Sequence, residues 1–554
     1  MWRWPLSAGG GLTVGQYARL LTGLLWFAWA DWVTTSTDRG FIPFLAVLLA
    51  ATSIAVMALA VTVRGEAAQR RFDQVLLIGS VAIVALVGAA GASTRALGTD
   101  EVALDQGAAI RLLHGINPYT ADLSFALHQF GVSVGTVTLN GGIVSTASYP
   151  PLSFLLYVPA VALLGVNSYA SELVNLACWG VAAMVLWRLT AARVRAWLPL
   201  FFALPVFFGP VTGGNVDTLA LPFVLVALFS WDRYGDPAER GVARWIGPVA
   251  LGAACAVKQN PWLLVPFLTI GVALEARARR HDWLRTAARY ASTVGVVFLV
   301  LNLPFIVWNP GAWVSKLLLP VTGGLIPSGI GPVDLMRSYG IGGGNLALFT
   351  VAALCARAAA LLLYVWRYAS LKRLVPLLPL AALMVSSRSL TTYFAFSVPA
   401  LAVAASSVRG VDAHVFDGRL RTILGRSGAV CAAASVTFLG GALLTPAPLH
   451  LTVVRATETS ALFTAQVRVD NRDGRALSPH FVLAQGRDFR VPLTMAGGPQ
   501  TLQGQSSATY ILTAPAQTSM LQPGNAFQVQ AVTASPGTIS VTPAQQAPPV
   551  SALR

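Results

Sequence analysis

The sequence predicts a polytopic α-helical membrane protein with a small all-β domain at its C-terminus, and three observations carry that reading. Hydrophobic residues make up 55% of the 554 residues and charged residues only 11%, with a mean hydropathy of +0.65. A soluble domain carries about 25% charged residues, and no water-soluble globule can bury so much apolar surface, so a soluble enzyme is excluded, as are disordered and collagen-like chains. The formal net charge of +16 sits in short loops between apolar stretches, which is the pattern of a membrane-topology signal and not of a nucleic-acid-binding face. Beyond about residue 445 the composition changes to short alternating runs of the kind strands use.

In chain order, the first apolar stretch, 13–33, follows an N-terminus without a cleavage pattern and reads as a retained helix. Further stretches lie at 41–63, 75–93, 169–187, 197–209, 217–231, 246–257, 261–274, 290–308, 346–366, 375–386, 393–408 and 428–445. Together they make about 13 transmembrane helices, several shorter than the roughly 20 residues of a full span. The apolar run 150–166 reads instead as a helix lying at the interface, because counting it as a crossing would invert the charges beyond it. With that choice Arg64, Arg70, Arg71, Arg188, Arg195, Arg277, Arg279, Arg280, Arg419 and Arg421 share one side. The positive-inside rule places that side and the N-terminus in the cytoplasm. The loops 94–168 and 309–345 and the C-terminal domain then lie outside the plasma membrane. Cys178, Cys255, Cys355 and Cys431 fall inside apolar stretches without metal spacing and read as small core residues.

The chain thus divides into a membrane domain, 1–445, and an extracytoplasmic domain, 446–554. In the latter, the runs 451–457, 463–469, 490–494, 509–513 and 527–533 alternate apolar and polar residues, punctuated by turns such as Asn471-Arg472-Asp473-Gly474 and Pro523-Gly524. About seven strands in such a length suit a β-sandwich. The final dozen or so residues, with Gln545, Gln546, Pro548 and Pro549, read as a frayed end.

The chemistry gathers on the outer side. Loop 94–168 opens with Thr99, Asp100, Glu101 and Asp105 on a segment whose apolar spacing fits an amphipathic helix, capped by Thr99 or Asp100 and stopped at Gly115. Glu101 and Asp105 are four apart and share a face. Such carboxylates suit a general base for a hydroxyl, and acids equally suit a helix N-terminus for its dipole alone. His114 is open to two readings, a second base or a cap of the helix end. Four polar breaks fall at the same face: Tyr149-Pro150-Pro151-Leu152, Gly214-Asn215-Val216-Asp217, Lys258-Gln259-Asn260-Pro261, and Ser387-Arg388-Ser389 followed by Thr391-Thr392-Tyr393. Each alone is also explained as a turn with a snorkelling charge. Together they place acids and cations around one cavity, which suits a reaction between a hydroxyl and a lipid-borne phosphate. Arg357 lies midway along the 346–366 stretch, either lining that cavity or snorkelling inward. The runs Gly323-Gly324 and Gly342-Gly343-Gly344 lack the context of a nucleotide loop and read as flexible parts of a lid.

In these residues the chain resembles the C-type (GT-C) glycosyltransferases, polytopic enzymes that take sugar from a polyprenyl-phosphate donor. The resemblance covers about 13–445 in layout. In motif it rests on Asp100-Glu101, the Gly115-Ile116-Asn117-Pro118-Tyr119 turn, Tyr149-Pro150-Pro151-Leu152, Lys258-Gln259-Asn260-Pro261, and Arg388 with Tyr393. The acidic pair is similar to that of the protein-mannosyltransferase and aminoarabinose-transferase branches, and the Asn-Pro-Tyr turn to that of bacterial mannosyl- and arabinosyltransferase-like branches. The β-rich tail departs from many members, so no acceptor is carried over from one branch. The resemblance implies inverting transfer of a mannose- or arabinose-like sugar to a hydroxyl of a lipid- or polymer-linked glycan of the cell envelope. It implies Asp100 as base, with Glu101 or Asp105 as substitutes, and Lys258 and Arg388 as the cations that meet the donor phosphate. Tyr149, Asn215, Asp217, Gln259 and Tyr393 would hold sugar or acceptor, with N-capping of the next helix as the competing role of Asp217. A monophosphate leaving group requires no cofactor or metal, a divalent cation being left open, and no nucleic acid is involved. The alternative is a lipid-linked sugar flippase. Transporters usually show two related halves, and no repeat relates 13–231 to 246–445.

Overall fold

The computed structural model describes residues 12–546 apart from 37–40, 93–98, 133–134, 237–240, 320–321, 323, 410–417, 460–461, 486–488 and 516–525. Pro523-Gly524, Gly323 and the last eight residues of the expected frayed end fall outside the described residues. Helices dominate up to Leu444 and strands follow from Leu449. The architecture is that of a polytopic membrane protein with a C-terminal β domain.

Six helices among the described residues are long and apolar enough to cross a bilayer: Phe44–Thr62, Ser168–Leu189, Asn260–Ala278, Trp283–Trp308, Ala347–Trp366 and Arg419–Leu444. A bent pair, Pro205–Thr212 with Val216–Leu228, raises the number to seven at most. The expected count of 13 is therefore not reached, and the reason is local. The stretch 197–209 breaks into Leu198–Phe202 and Pro205–Thr212, and 393–408 into Thr391–Ala395 and Ser397–Ser407. An 11-residue helix such as Ser397–Ser407 rises only about 17 Å, against about 30 Å of hydrocarbon. Apolar composition alone did not reveal these breaks. The run 150–166, expected as one interfacial helix, likewise forms two short pieces, Leu152–Leu155 and Val158–Leu164. Helices Val14–Ser36 and Glu66–Ala92 are fastened by a buried bidentate pair, Arg19 to Asp73, with Nε–Oδ1 at 2.6 Å and a guanidinium nitrogen 3.0 Å from Oδ2.

Among the described residues the C-terminal domain holds eight strands, and a two-stranded parallel pair precedes them in the chain: β1 (Ser328–Gly329) with β2 (Arg388–Ser389). The eight are β3 (Leu449–Glu458), β4 (Leu462–Asn471), β5 (His480–Gln485), β6 (Phe489–Gly497), β7 (Ser507–Pro515), β8 (Ala526–Ala534), β9 (Gly537–Val541) and β10 (Gln545–Gln546). The expected sandwich is corrected: they form one antiparallel sheet in the order β10-β8-β5-β6-β7-β4-β3, with β9 on β8, curled into a half-barrel. The curl arises at β6, which pairs with β5 through Leu493 and with β7 from Thr494, and carries a bulge between Met495 and Gly497. Consequently Phe463 on β4 meets Phe527 on β8, with three strands between them in the sheet, at a ring-centroid distance of 5.9 Å. Gln545 and Gln546 pair with Phe527 and Ala526 and so are not frayed.

The half-barrel is seated on the helical part. Val482, Val532 and Ile539 on its convex side pack with Val137, Leu139, Met336, Phe349 and Ala442. The Gly342–344 turn is the joint: Gly343, with φ at +95°, accepts a hydrogen bond from Ile539 N (2.9 Å), and Ile539 O occupies the place of any Cβ there. Gly342 is pressed in the same way against Ala442 O. The glycines therefore permit close backbone contact, and the flexible-lid expectation for 342–344 is corrected.

Candidate functional site

The site grows from the helix Asp100–Leu113. Thr99, in extended conformation, caps it by accepting from Val102 N at 3.4 Å, and its own hydroxyl donates to Gly214 O. At the other end Gly115 N and Ile116 N bond back to Leu112 O and Arg111 O, while His114 Nδ1 meets Ile110 O at 2.8 Å. His114 thus terminates the helix, in keeping with the second of its two readings. The Thr99–Gly214 link brings the acidic start of this helix against the start of Val216–Leu228. There Asn215 Oδ1 accepts from Asp217 N at 2.8 Å, so the cap is Asn215 and not Asp217. Asn215 thereby engages its Oδ1 with its own helix.

Lys258 ends the helix Ala243–Val257 in extended backbone and lies on this junction. Its Nζ is 2.9 Å from Asp217 Oδ2 and 3.4 Å from Glu101 Oε2, and its side chain is only 2% exposed. The Tyr149 and Tyr393 rings flank the ammonium, with centroids at 5.2 and 5.6 Å. Tyr149 Oη donates to Glu101 Oε1 at 2.5 Å, and Val216 N approaches Oε2 at 3.4 Å. Asn260 Nδ2 completes the group by donating to Asp217 Oδ1 at 3.2 Å. The Asn117-Pro118-Tyr119 turn sets Tyr149: Asn117 Oδ1 accepts from Tyr119 N at 3.0 Å, and Tyr119 Oη donates to Tyr149 O at 2.7 Å.

Two expectations change here. A cation at a break between apolar helices needs counterions, and Lys258 finds them in Glu101 and Asp217, so it is not placed to receive a phosphate directly. Gln259 donates to Ser148 O (2.8 Å) and Leu317 O (3.0 Å), tying two loops together, so it is not placed to hold sugar. Asp217 and Tyr149 are likewise bound within the cluster.

The three acids are not equivalent. Asp105 is buried, accepts from Ser153 Oγ at 3.1 Å, and leaves Oδ2 without a hydrogen-bond partner. Burial, reinforced by the Glu101 charge, pushes its carboxyl well above the usual aspartate range. For Glu101 burial acts upward, but Lys258, the Tyr149 hydroxyl and Val216 N outweigh it and hold the carboxyl below its ordinary value. Asp100 Oδ2 accepts from Thr136 N at 2.6 Å. Burial and the neighbouring Glu101 charge raise its carboxyl, against Thr136 and Arg388, which pull it down. Asp100 is half-buried and has no ammonium on it.

Arg388 is held on β2, whose partner β1 pins it to the 309–345 loop. One guanidinium nitrogen reaches Ile326 O at 3.5 Å, and its charge bears on both Asp100 and Glu101. The Tyr393 hydroxyl has no hydrogen bond among the described residues. Asp100, Asn260, Arg388 and Tyr393 thus form a half-exposed rim around the buried Lys258. Two contributors escaped the sequence reading of the site. Thr136 acts on Asp100 through both its side chain and its backbone N–H but lies 36 positions away in no motif, whereas Asn260 stood inside the Lys258–Pro261 motif. Among the described residues no three His, Cys, Asp or Glu side chains gather as a metal site. Comparison with known proteins finds no family model and no curated relative that match the chain.

Proposed function

We propose that the protein is an integral membrane glycosyltransferase of the GT-C kind, moving a sugar from a polyprenyl-phosphate donor to a hydroxyl of a cell-envelope glycan on the outer face. The observation that carries this reading is the pairing of unlike carboxylates: Glu101, ion-paired with Lys258 and lowered, and Asp100 beside it, raised and in no ion pair within 4 Å among the described residues. In the proposed step the acceptor oxygen attacks the anomeric carbon from the face opposite the phosphate. Its proton passes to a carboxylate oxygen of Asp100 as the new C–O bond forms. The bond from the anomeric carbon to the phosphate oxygen breaks, and the polyprenyl monophosphate leaves with the electron pair. Arg388 meets the charge that develops on the leaving group. Glu101, Lys258 and Asp217 act as positioning residues, keeping Asp100 and the Tyr149 and Tyr393 rings in register.

The test supplies a labelled polyprenyl-phosphate sugar to membranes and compares the wild type with Asp100→Asn and Glu101→Gln. Transfer is expected to fall by about 10²- to 10⁴-fold in Asp100→Asn, with unchanged expression and thermal stability. Undiminished transfer in both variants ends the assignment. Movement of the labelled lipid across sealed vesicles without transfer would favour the flippase reading.

A further inference from the structure

We infer that Arg357 forms a second phosphate-binding point below Arg388, where the headgroup of a polyprenyl monophosphate enters from the bilayer before it reaches the site. Arg357 lies near the middle of the candidate span Ala347–Trp366. About 14 to 15 Å of helix separates it from either end, further than a side chain snorkels. It makes no hydrogen bond, ion pair or cation–π contact among the described residues, although a charge at that depth is expensive without an anion. None of the other nineteen residues of the helix is basic or acidic, so no counterion is available along its own length.

Its position relative to the site follows from helix register. Residues seven apart share a helix face, so Arg357 and Tyr364 lie on the same side. Tyr364 is buried against Phe267, with ring centroids 5.6 Å apart, and its hydroxyl sits where Gly271 has no side chain. Both helices run away from the loop end, so climbing seven residues from Tyr364 to Arg357 matches climbing from Phe267 and Gly271 to Asn260 and Leu264. Each climb rises about 10 Å. Arg357 is thereby level with the break that carries Lys258 and Asn260. Leu354, one turn nearer the loop end, is 62% exposed, which puts Arg357 at the border between the packed face and the lipid. The helix Leu380–Val385 packs on the same span and leads through Ser386 and Ser387 into Arg388. A lipid phosphate arriving from the bilayer meets Arg357 first and Arg388 next, while its isoprenoid tail remains among apolar side chains.

This inference rests on the proposed transferase reading but is tested separately from it. Purified protein in nanodiscs of zwitterionic lipid is titrated with polyprenyl monophosphate lacking sugar, with phosphatidylglycerol as the competing anionic lipid. The wild type is expected to bind the monophosphate, Arg357→Gln to bind it at least tenfold more weakly, and Arg357→Lys to recover part of the loss. In transfer assays Arg357→Gln raises the donor KM and leaves the acceptor KM and kcat within about twofold. Unaltered monophosphate binding in a monodisperse Arg357→Gln protein overturns the inference, and so does equal competition by phosphatidylglycerol, which would make Arg357 a contact for bulk lipid. If Asp100→Asn transfers normally while Arg357→Gln still loses lipid binding, the transferase reading fails and the lipid site stands.

Discussion

Buried clusters of opposite charge occupy both ends of the helix Asn260–Ala278, and they differ in what surrounds them. At the first end Lys258 lies between Glu101 and Asp217. At the other, about 25 Å along the axis, Glu275 accepts from Tyr368 Oη at 2.8 Å and pairs with Arg279 at 3.4 Å and Lys372 at 3.7 Å. Arg279 also donates to Asp232 O at 2.8 Å, and Asp232 Oδ2 accepts from Arg409 N at 2.9 Å. The second cluster is closed: its groups are engaged with helix ends and loops on every side, and it locks them. The first has an equally buried centre but a rim, Asp100, Asn260, Arg388 and Tyr393, that stays half-exposed with hydrogen-bonding capacity to offer. Burial of charge therefore does not by itself mark the proposed site; what distinguishes it is a buried cluster that fixes half-exposed groups at its edge.

The sharpest way to break this comparison is to remove the central cation from each cluster. Lys258→Met leaves Glu101 and Asp217 without their ammonium, a loss of about 3–5 kcal/mol for one partner of a buried pair, and Lys372→Met leaves Glu275 still paired with Arg279, a smaller loss. Both variants are expected to unfold at lower temperature. Transfer per folded molecule should separate them: it falls by about 10²-fold or more in Lys258→Met, because Glu101 and the two tyrosine rings lose their anchor, and stays near wild type in Lys372→Met. Thermal unfolding read beside donor turnover checks this, and equal specific activities would erase the distinction between site and lock.

Much of this difference was legible in the sequence, and the limits of legibility are physical. Thr99 as cap and Gly115 as stop are local signals, readable because a helix end is satisfied by its own neighbours. Four of the five runs read as strands in the C-terminal domain alternate because one face of each is packed and the other is not, as the β4 burial pattern illustrates. The missed strand β5 is buried along most of both faces, between the half-barrel core and the 137–139 and 336–349 segments, and such a strand loses its alternation. In the site, the residue types were visible but not their partners. Lys258 and Glu101 are 157 positions apart, and nothing in either segment says that the ammonium is claimed by carboxylates before any phosphate arrives. The span count failed for a related reason, since an apolar run reports burial without saying whether Pro199, Pro205 or Pro399 breaks it into short helices.

A milder perturbation sharpens the contrast within the first cluster, between its two unlike carboxylates. The ionised form of Asp100 is the proton acceptor, so transfer declines as pH falls through its carboxyl value, which lies above the ordinary 3.8. Glu101, held below its ordinary 4.5, remains ionised across that range and does not set the limb. The two also act oppositely on stability. The contribution of Glu101 is present above its ordinary value and lost as pH falls through the lowered one. That of Asp100 is present below its ordinary value and lost as pH rises through the raised one. Arg388→Gln removes a cation that pulls Asp100 down, so the acid limb of kcat/KM should move to higher pH, and kcat should fall at every pH as the leaving group loses its partner. An unmoved limb would separate Arg388 from Asp100.

The smallest expected effect probes the rim alone. Tyr393 supports the buried cluster with its ring, 5.6 Å from the Lys258 ammonium, and offers its hydroxyl outward. Tyr393→Phe keeps the ring and deletes only the hydroxyl, so stability should stay within about 0.5 kcal/mol of wild type. If the hydroxyl holds a donor or acceptor oxygen, one neutral hydrogen bond of about 0.5–1.5 kcal/mol disappears. Transfer then declines by about twofold to tenfold through KM, with the acid limb unmoved. Tyr393→Leu also removes the ring and should add a loss of thermal stability that Tyr393→Phe does not show. Identical behaviour of the two variants would mean that ring and hydroxyl serve one purpose, and the boundary between a buried anchor and an open rim would not pass through this residue.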